Sequence, residues 1–332
     1  MSCRFAFAVR WAGLHVSVAA AALFFAAGAA QALPFTNLIV FGDSIVDQGN
    51  TQAAAIGSGF PDPAPASAGY FGGRFTNGIN PADVLNQEIE GTNSVGSLFG
   101  GDNFAFGGAR ARSDGDFLPD LEAQTAAFLA RAGSTPIDSS TLIMINVGGN
   151  DVRDILLGGL AGAARQAVID AAALAVSSSI SVLQAAGAQN FLFVGVGNVG
   201  GIPEIAPFGP LAAAAGRQAS IDINAAIQAV LPSNAYYFDT IAWSDQLLAN
   251  PALFGLPAGL NTTTACLGSG APAPGGAPTC DDYAFFDTVH PTTQVLQLLG
   301  DELINVVPEP GTGILMMIGL TLLASRRPAR AA

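Results

Sequence analysis

Hydrophobic residues in this chain gather into short unbroken runs, each stopped by glycine or by a polar turn. Asn37 to Phe41 ends at Gly42, and Asp102 to Phe106 ends at Gly107-Gly108. Thr141 to Val147 is apolar but for Thr141 and Asn146 and ends at Gly148-Gly149, with Phe191 to Val196 and Ala235 to Phe238 completing the series. Apolar runs of this length, bounded by turn residues, predict strands buried on both faces. Between them, alanine-rich Ala161 to Ala186 and Leu211 to Val230 predict helices, and a last helix is expected from near Pro291 to about Asn305. The Gly/Pro/Ala/Ser-rich stretch from Thr51 to Gly73 predicts a surface loop that shapes a binding rim. Apolar strands alternating with helices predict an α/β fold, a central parallel sheet covered by helices on both faces in a three-layer α/β/α sandwich. With no internal repeat and no linker between residues 36 and 305, one domain is expected over 33–305. In such sheets ligands lie beyond the carboxyl ends of the strands, so the polar residues directly after each run are the ones to inspect.

The two ends do not share this pattern. Residues 1–32 carry Arg4 and Arg10, an apolar run from Trp11 to Ala30, and Ala30-Gln31-Ala32 as a small-residue site. This is the layout of a secretory signal cleaved before Leu33, with a retained membrane anchor as the alternative. At the other end, in the segment 306–332, Val307-Pro308-Glu309-Pro310-Gly311 precedes the mostly apolar Thr312 to Ala324 and then Arg326, Arg327 and Arg330. The apolar part is short for an ordinary membrane span, and the trailing arginines would hold it at the cytoplasmic face.

Composition removes several chemistries. The chain has no lysine, so Schiff-base catalysis, a phosphate-loop lysine and a Ser-x-x-Lys nucleophile pair are all excluded. The span 33–310 holds seven arginines against all 25 acids, a net charge of −18 that repels nucleic acid and anionic lipid surfaces. Beyond Cys3 the cysteines are Cys266 and Cys280, an even pair suited to an oxidising compartment. If bridged, they close a Gly/Pro-rich loop and pin the segment just before Asp287; two free thiols are the alternative.

Candidate chemistry follows the runs. His290 is the sole histidine outside the N-terminal run, which holds His15, so any histidine acid/base chemistry in the body rests on it. It stands three residues after an acid in Asp287-Thr288-Val289-His290-Pro291, where Pro291 biases His290 away from helical geometry. After the first run comes Gly42-Asp43-Ser44, where a turn at Gly42 would project the Ser44 hydroxyl into the ligand crevice; a helix N-cap serine is the structural alternative. Gly107-Gly108-Ala109 and Gly148-Gly149-Asn150-Asp151 follow the second and third runs. Asp114, Asp116 and Asp120 miss the spacing of an EF-hand loop and read as a solvated acidic loop. One histidine and two cysteines make a zinc site improbable, and nothing calls for a cofactor.

These four blocks, in this order, resemble the SGNH or GDSL hydrolase superfamily across about residues 36–305. Gly73-Arg74-Phe75-Thr76-Asn77-Gly78 and Tyr283-x-Phe285-Phe286-Asp287-x-x-His290-Pro291-Thr292 bring the likeness nearer to its GDSL lipase/acylhydrolase branch. The resemblance implies a flavodoxin-like SGNH fold and a serine esterase or lipase acting on O-acyl esters through an acyl-enzyme. It further implies Ser44 as nucleophile, His290 as base and Asp287 as its orienter, with the N–H groups of Ser44 and Gly108 and the Asn150 amide as oxyanion donors. Gly107 competes with Gly108 for that role. The tail resembles the PEP-CTERM sorting signal, which implies an exported, cell-surface or exopolysaccharide-associated protein, transiently or permanently anchored in the inner membrane, with an exosortase as processing partner. Deacetylation of an exopolysaccharide is the alternative activity, and a surface or matrix binding protein that keeps the fold without turnover is the non-enzymatic one.

Overall fold

The computed structural model describes residues 33–268 and 279–307. The signal expected over residues 1–32 and the tail segment from 308 onward lie outside the described residues. Four parallel strands, β1 (Asn37–Gly42), β2 (Thr141–Asn146), β3 (Asn190–Val194) and β4 (Tyr236–Phe238), stand side by side in chain order. Asn37 to Gly42 pairs residue for residue with Thr141 to Asn146, which brings the carboxyl ends of β1 and β2 level.

Because successive side chains point to opposite faces, the apolar runs supply two cores at once. Ile39, Phe41, Ile143, Ile145, Phe191 and Phe193 are buried on one face with residues of α3 (Leu121–Ala132), α4 (Gly149–Leu157), α5 (Gly162–Ala185) and α6 (Gly209–Gln228). Leu38, Val40, Leu142, Met144, Leu192 and Val194 are buried on the other with residues of α2 (Pro81–Glu90) and α8 (Thr293–Val306). The expected three-layer α/β/α sandwich is therefore what the chain forms. Helix α5 earns its position through Ile169, Ala172, Val176, Ile180 and Leu183, a buried stripe at helical spacing. Phe41, Phe191 and Phe193 are wholly buried, and truncating any one to alanine would cost about 3–5 kcal/mol.

Two features depart from the pattern-based expectation. Asp102 to Phe106 runs beside β1 through Val40 N–H to Asp102 O (3.0 Å), Phe104 N–H to Val40 O (2.7 Å) and Phe106 N–H to Gly42 O (3.1 Å), yet it makes only isolated bridges. Its Asn103 side chain takes the N–H of Ala105 at 3.0 Å, a local bond that competes with a regular ladder. The loop expected from Thr51 to Gly73 opens instead as helix α1 (Asn50–Gly57), because Asp47 accepts the N–H groups of Asn50 (2.8 Å) and Thr51 (3.2 Å) ahead of an alanine run. Helices α2, α3 and α4, with α7 (Thr240–Ala249), and a small parallel pair, β5 (Asn261–Ala265) and β6 (Tyr283–Phe285), complete the fold. Cys266 and Cys280 are bridged beside that pair.

Candidate active site

The end of β1 turns sharply at Gly42. A Cβ there would lie 2.4 Å from Val46 Cγ2 and 2.9 Å from Asn146 O, so the close approach admits glycine alone. Gln124 brackets the turn: its Oε1 accepts from Gly42 N–H and its Nε2 donates to Gly42 O, both at 2.9 Å. Asp43 N–H donates to Asn146 O at 3.1 Å, and the Asp43 carboxylate takes the N–H of Ile45 at 3.0 Å. Burial pushes the Asp43 carboxyl up to about 6, with Asp151 raising it further while the Ile45 N–H, His290 and Arg153 oppose.

Ser44, held on this turn, has its Oγ 2.7 Å from His290 Nε2. His290 Nδ1 lies 2.7 Å from Asp287 Oδ2 and 2.9 Å from Oδ1. A carboxylate can only accept, so Nδ1 carries the ring proton and Nε2 is left to accept from the serine hydroxyl. Asp287 Oδ1 also takes the N–H groups of Val289 (2.8 Å) and His290 (2.7 Å), and its Oδ2 accepts from the Tyr70 hydroxyl at 2.9 Å. Burial alone would raise the Asp287 carboxyl, but the hydrogen bond and charge of His290 with these backbone N–H groups hold it below the usual carboxylate range.

The stretch carrying Arg74 to Asn77 clamps the segment on which His290 sits. The Phe75 ring lies 5.2 Å from the imidazole, Thr76 Oγ1 donates to Pro291 O (2.9 Å) and Asn77 Oδ1 accepts from Thr293 N–H (2.9 Å) at the start of α8. Arg74 is fixed in turn by a buried bidentate pair with Asp83, at 2.7 and 2.9 Å.

On the opposite side, the Phe106 N–H bond to Gly42 O makes the edge segment and β1 leave the sheet together, with Gly108 and Ser44 each two residues beyond that contact. The two glycines differ in their hydrogen bonding. Gly107 N–H is taken by Asp47 Oδ2 (3.0 Å) and Thr51 Oγ1 (2.5 Å). Gly108 N–H and Ser44 N–H have no hydrogen-bond partner among the described residues. Gly108 has φ +88°, a conformation that costs a side-chain-bearing residue but not glycine. Asn150, in the first turn of α4, gives one Nδ2 hydrogen to Ala109 O at 2.9 Å, and its Oδ1 accepts from Arg153 Nη1 at 3.1 Å. Its second amide hydrogen is therefore uncommitted.

Ser44 and Asn150 open onto a pocket of about 180 Å³ along the carboxyl ends of β1 to β4, walled largely by Val147, Val196, Ile202, Trp243, Leu248 and Phe285. Tyr70, Arg153 and Glu204 are contributors that sequence reasoning did not foresee. Arg153 stands three residues after Asn150, a helical spacing that could have flagged it; Tyr70 and Glu204 carry no local signal. In the acidic loop, Arg110 Nη1 reaches Asp114 (2.8 Å) and Asp116 (3.2 Å), while Asp120 accepts the N–H groups of Arg110 (2.7 Å) and Asp114 (3.2 Å).

Chemically, the arrangement offers a hydroxyl, an imidazole ready to take its proton, a carboxylate to steady the resulting charge, and uncommitted N–H donors nearby. Residues 38–303 match the sequence profile described as GDSL-like Lipase/Acylhydrolase. The GDSL esterase/lipase LTL1 of Arabidopsis thaliana is 26% identical, covering 80% of this chain and 86% of that protein. Lipase 1 of Photorhabdus luminescens is 33% identical over 52% of this chain and 24% of its own length. A solved structure of a catalytic mutant of an acetylxylan esterase from Geobacillus stearothermophilus is similar with a TM-score of 0.44 and 16% identity, covering 84% of this chain and 95% of that one. The chain belongs to the GDSL-like lipase/acylhydrolase family and is a carboxylic-ester hydrolase.

Proposed function

We propose that this protein is a serine esterase in which Ser44 is the nucleophile, His290 the general base and acid, and Asp287 the group that orients and steadies the imidazolium. The observation that carries the reading is the unbroken chain Asp287, His290, Ser44, with 2.7 Å at each link. Ser44 Oγ attacks the ester carbonyl carbon as its proton passes to His290 Nε2. The oxyanion is met by the N–H groups of Ser44 and Gly108 and the second Nδ2 hydrogen of Asn150. Collapse breaks the bond to the alcohol, which leaves with the proton from His290. Water, deprotonated by His290, then attacks the acyl-enzyme, releasing the carboxylic acid and restoring Ser44.

The substrate class we infer is an ester whose acyl chain extends beyond acetyl, because the pocket beside Ser44 is walled by aliphatic and aromatic side chains. Hydrolysis of p-nitrophenyl esters of graded length by residues 33–307, beside Ser44→Ala, tests both parts. A rate that rises from acetyl to butyryl or longer and vanishes in the variant is expected. No activity above the variant on any ester would sink the serine mechanism, and a rate highest on acetyl would turn the reading to a carbohydrate O-acetyl esterase.

We further infer that 33–305 is the catalytic domain of an exported enzyme, with residues 1–32 as its signal and the tail as a PEP-CTERM address read by an exosortase. The disulfide supports an oxidising compartment. Mass spectrometry of the exported protein is the test, since a C-terminus still containing Arg330 would contradict processing.

A further inference from the structure

A side-chain amide that donates to an oxyanion has a weakness: its two ends are nearly the same shape. Rotating the Asn150 amide by half a turn would present Oδ1 to the developing negative charge and convert a stabilising group into a repelling one. Something must therefore select the orientation. Ala109 O, which accepts from Nδ2 at 2.9 Å, is one selector, and the Arg153 guanidinium, which donates to Oδ1 at 3.1 Å, is the other. In the rotated state Oδ1 would face a carbonyl oxygen and Nδ2 a cation, so both contacts turn repulsive together.

Arginine is a long and flexible side chain, and it selects nothing unless it is itself held. Glu204 holds it with two parallel bonds, Arg153 Nε to Oε2 at 2.8 Å and Nη2 to Oε1 at 2.7 Å, leaving Nη1 for Asn150. Glu204 is anchored by its own main chain, whose N–H donates to Thr288 O at 2.8 Å, within the segment that joins Asp287 to His290. The residues facing this guanidinium thus run from the segment of the base to the oxyanion amide.

We propose that Arg153, pinned by Glu204, is a positioning residue of the reaction: it locks the Asn150 amide with Nδ2 toward the oxyanion. The proposal rests on the oxyanion role given above to Asn150. It differs from a role in which Arg153 touches the substrate, because an effect exerted through Asn150 disappears once Asn150 is gone.

The experiment is a double-mutant cycle of Arg153→Met and Asn150→Ala on a p-nitrophenyl ester, with Glu204→Gln as a milder variant that leaves Arg153 in place. Each protein is first checked for an unfolding midpoint close to that of wild type. Arg153→Met is expected to lower kcat by about tenfold or more while KM stays within about twofold, the mark of an interaction felt in the transition state. Asn150→Ala is expected to lose about a hundredfold or more, and the double variant to be about as slow as Asn150→Ala alone. Glu204→Gln should lie between wild type and Arg153→Met, with weakened affinity for an alkylboronic acid that forms a tetrahedral adduct on Ser44. Multiplicative losses in the cycle, or a change confined to KM, would overturn the positioning role. An undiminished Asn150→Ala would instead overturn the oxyanion reading beneath it, and the two failures are distinguishable from that single variant.

Discussion

Removing the Cys266–Cys280 bridge is expected to perturb the candidate active site without touching any residue in it. The bridged residues are 14 apart, and the chain beyond Cys266 runs beside the segment leading to Asp287: Cys266 N–H donates to Phe285 O at 2.9 Å and Leu267 N–H to Phe286 O at 2.8 Å. Both cysteines are buried against Phe286, whose ring meets Tyr70 edge-on at 5.0 Å, and Tyr70 donates to Asp287. Closing a loop of about 15 residues restricts the unfolded chain by about 3 kcal/mol. Unfolding a body of roughly 275 residues carries an entropy of about 0.6 kcal/mol/K, so that loss lowers the midpoint by about 5 °C. Cys266→Ala with Cys280→Ala, followed by circular dichroism on heating and by residual hydrolysis of p-nitrophenyl butyrate after timed incubation, reads both consequences. The midpoint should fall by about that amount, and the temperature of half-inactivation should fall at least as far, because the support behind Asp287 loosens before the sheet does. A midpoint within about 1 °C of wild type would refute the entropy argument. A normal inactivation temperature beside a lowered midpoint would refute the link to Asp287.

Three other outcomes can be checked. His290→Ala should cut kcat/KM by about ten-thousandfold or more, with the unfolding midpoint little changed, since no second histidine lies in 33–307 to replace it; steady-state kinetics with substantial retained turnover would contradict the base assignment. Gly107→Ala would bring a Cβ to 2.3 Å from Phe75 Cε2 and displace the ring that backs His290, so a stability loss of about 1–3 kcal/mol with a larger loss in kcat is expected from urea titration and kinetics. Asp151 is pushed up to about 6 by burial, against the Ala111 N–H and Arg112, so the folded state binds a proton that the unfolded chain has released. Its contribution is fully present only below about pH 4 and is lost as pH rises through about 6, and the stability of Asp151→Asn relative to wild type should improve by about 2 kcal/mol between about pH 4 and pH 7 in urea titrations. Parallel pH curves for the two proteins would count against it.

The fold was legible where burial is complete. Strands β1 to β3 carry apolar residues on both faces, so they read as unbroken runs, and α5 is long enough for its buried stripe to repeat. The shorter helices were harder, although α2 carries a local signature: Asn80 accepts from the N–H groups of Ala82 and Asp83, Asp83 reaches back to Asn80 N–H, and Pro81 sits in the first turn. Helix α4 was hidden by its own chemistry, since Gly149-Asn150-Asp151 reads as a turn and is also its first turn. Ser44, Asp287 and His290 were legible as candidates because each stands at a strand end or a helix start with a distinctive neighbour. Tyr70 could not, because its meaning lies entirely in a contact 217 residues away, and the Arg153 to Glu204 pair spans 51.

The two halves of the site are held by different means, and this follows from where they fall in the fold. Ser44 is set by the sheet: Gly42 lies under Val46 and Asn146 O, and Gln124 closes both of its backbone groups. A substitution there meets backbone that cannot move without disturbing β1 and β2. Asp287 and His290 are set by side chains arriving from outside the main sheet, Tyr70 on the carboxylate, Phe75 against the imidazole and Thr76 on Pro291 O, with the Glu204 N–H on Thr288 O. Each of these is a single contact, worth on the order of 1 kcal/mol if neutral and about twice that to a carboxylate. Ser44 is therefore rigid by construction, while the geometry of His290 is the sum of several replaceable supports. Loss of any one support should appear first in kcat, through the Asp287 to His290 to Ser44 alignment, and only weakly in the stability of the sheet.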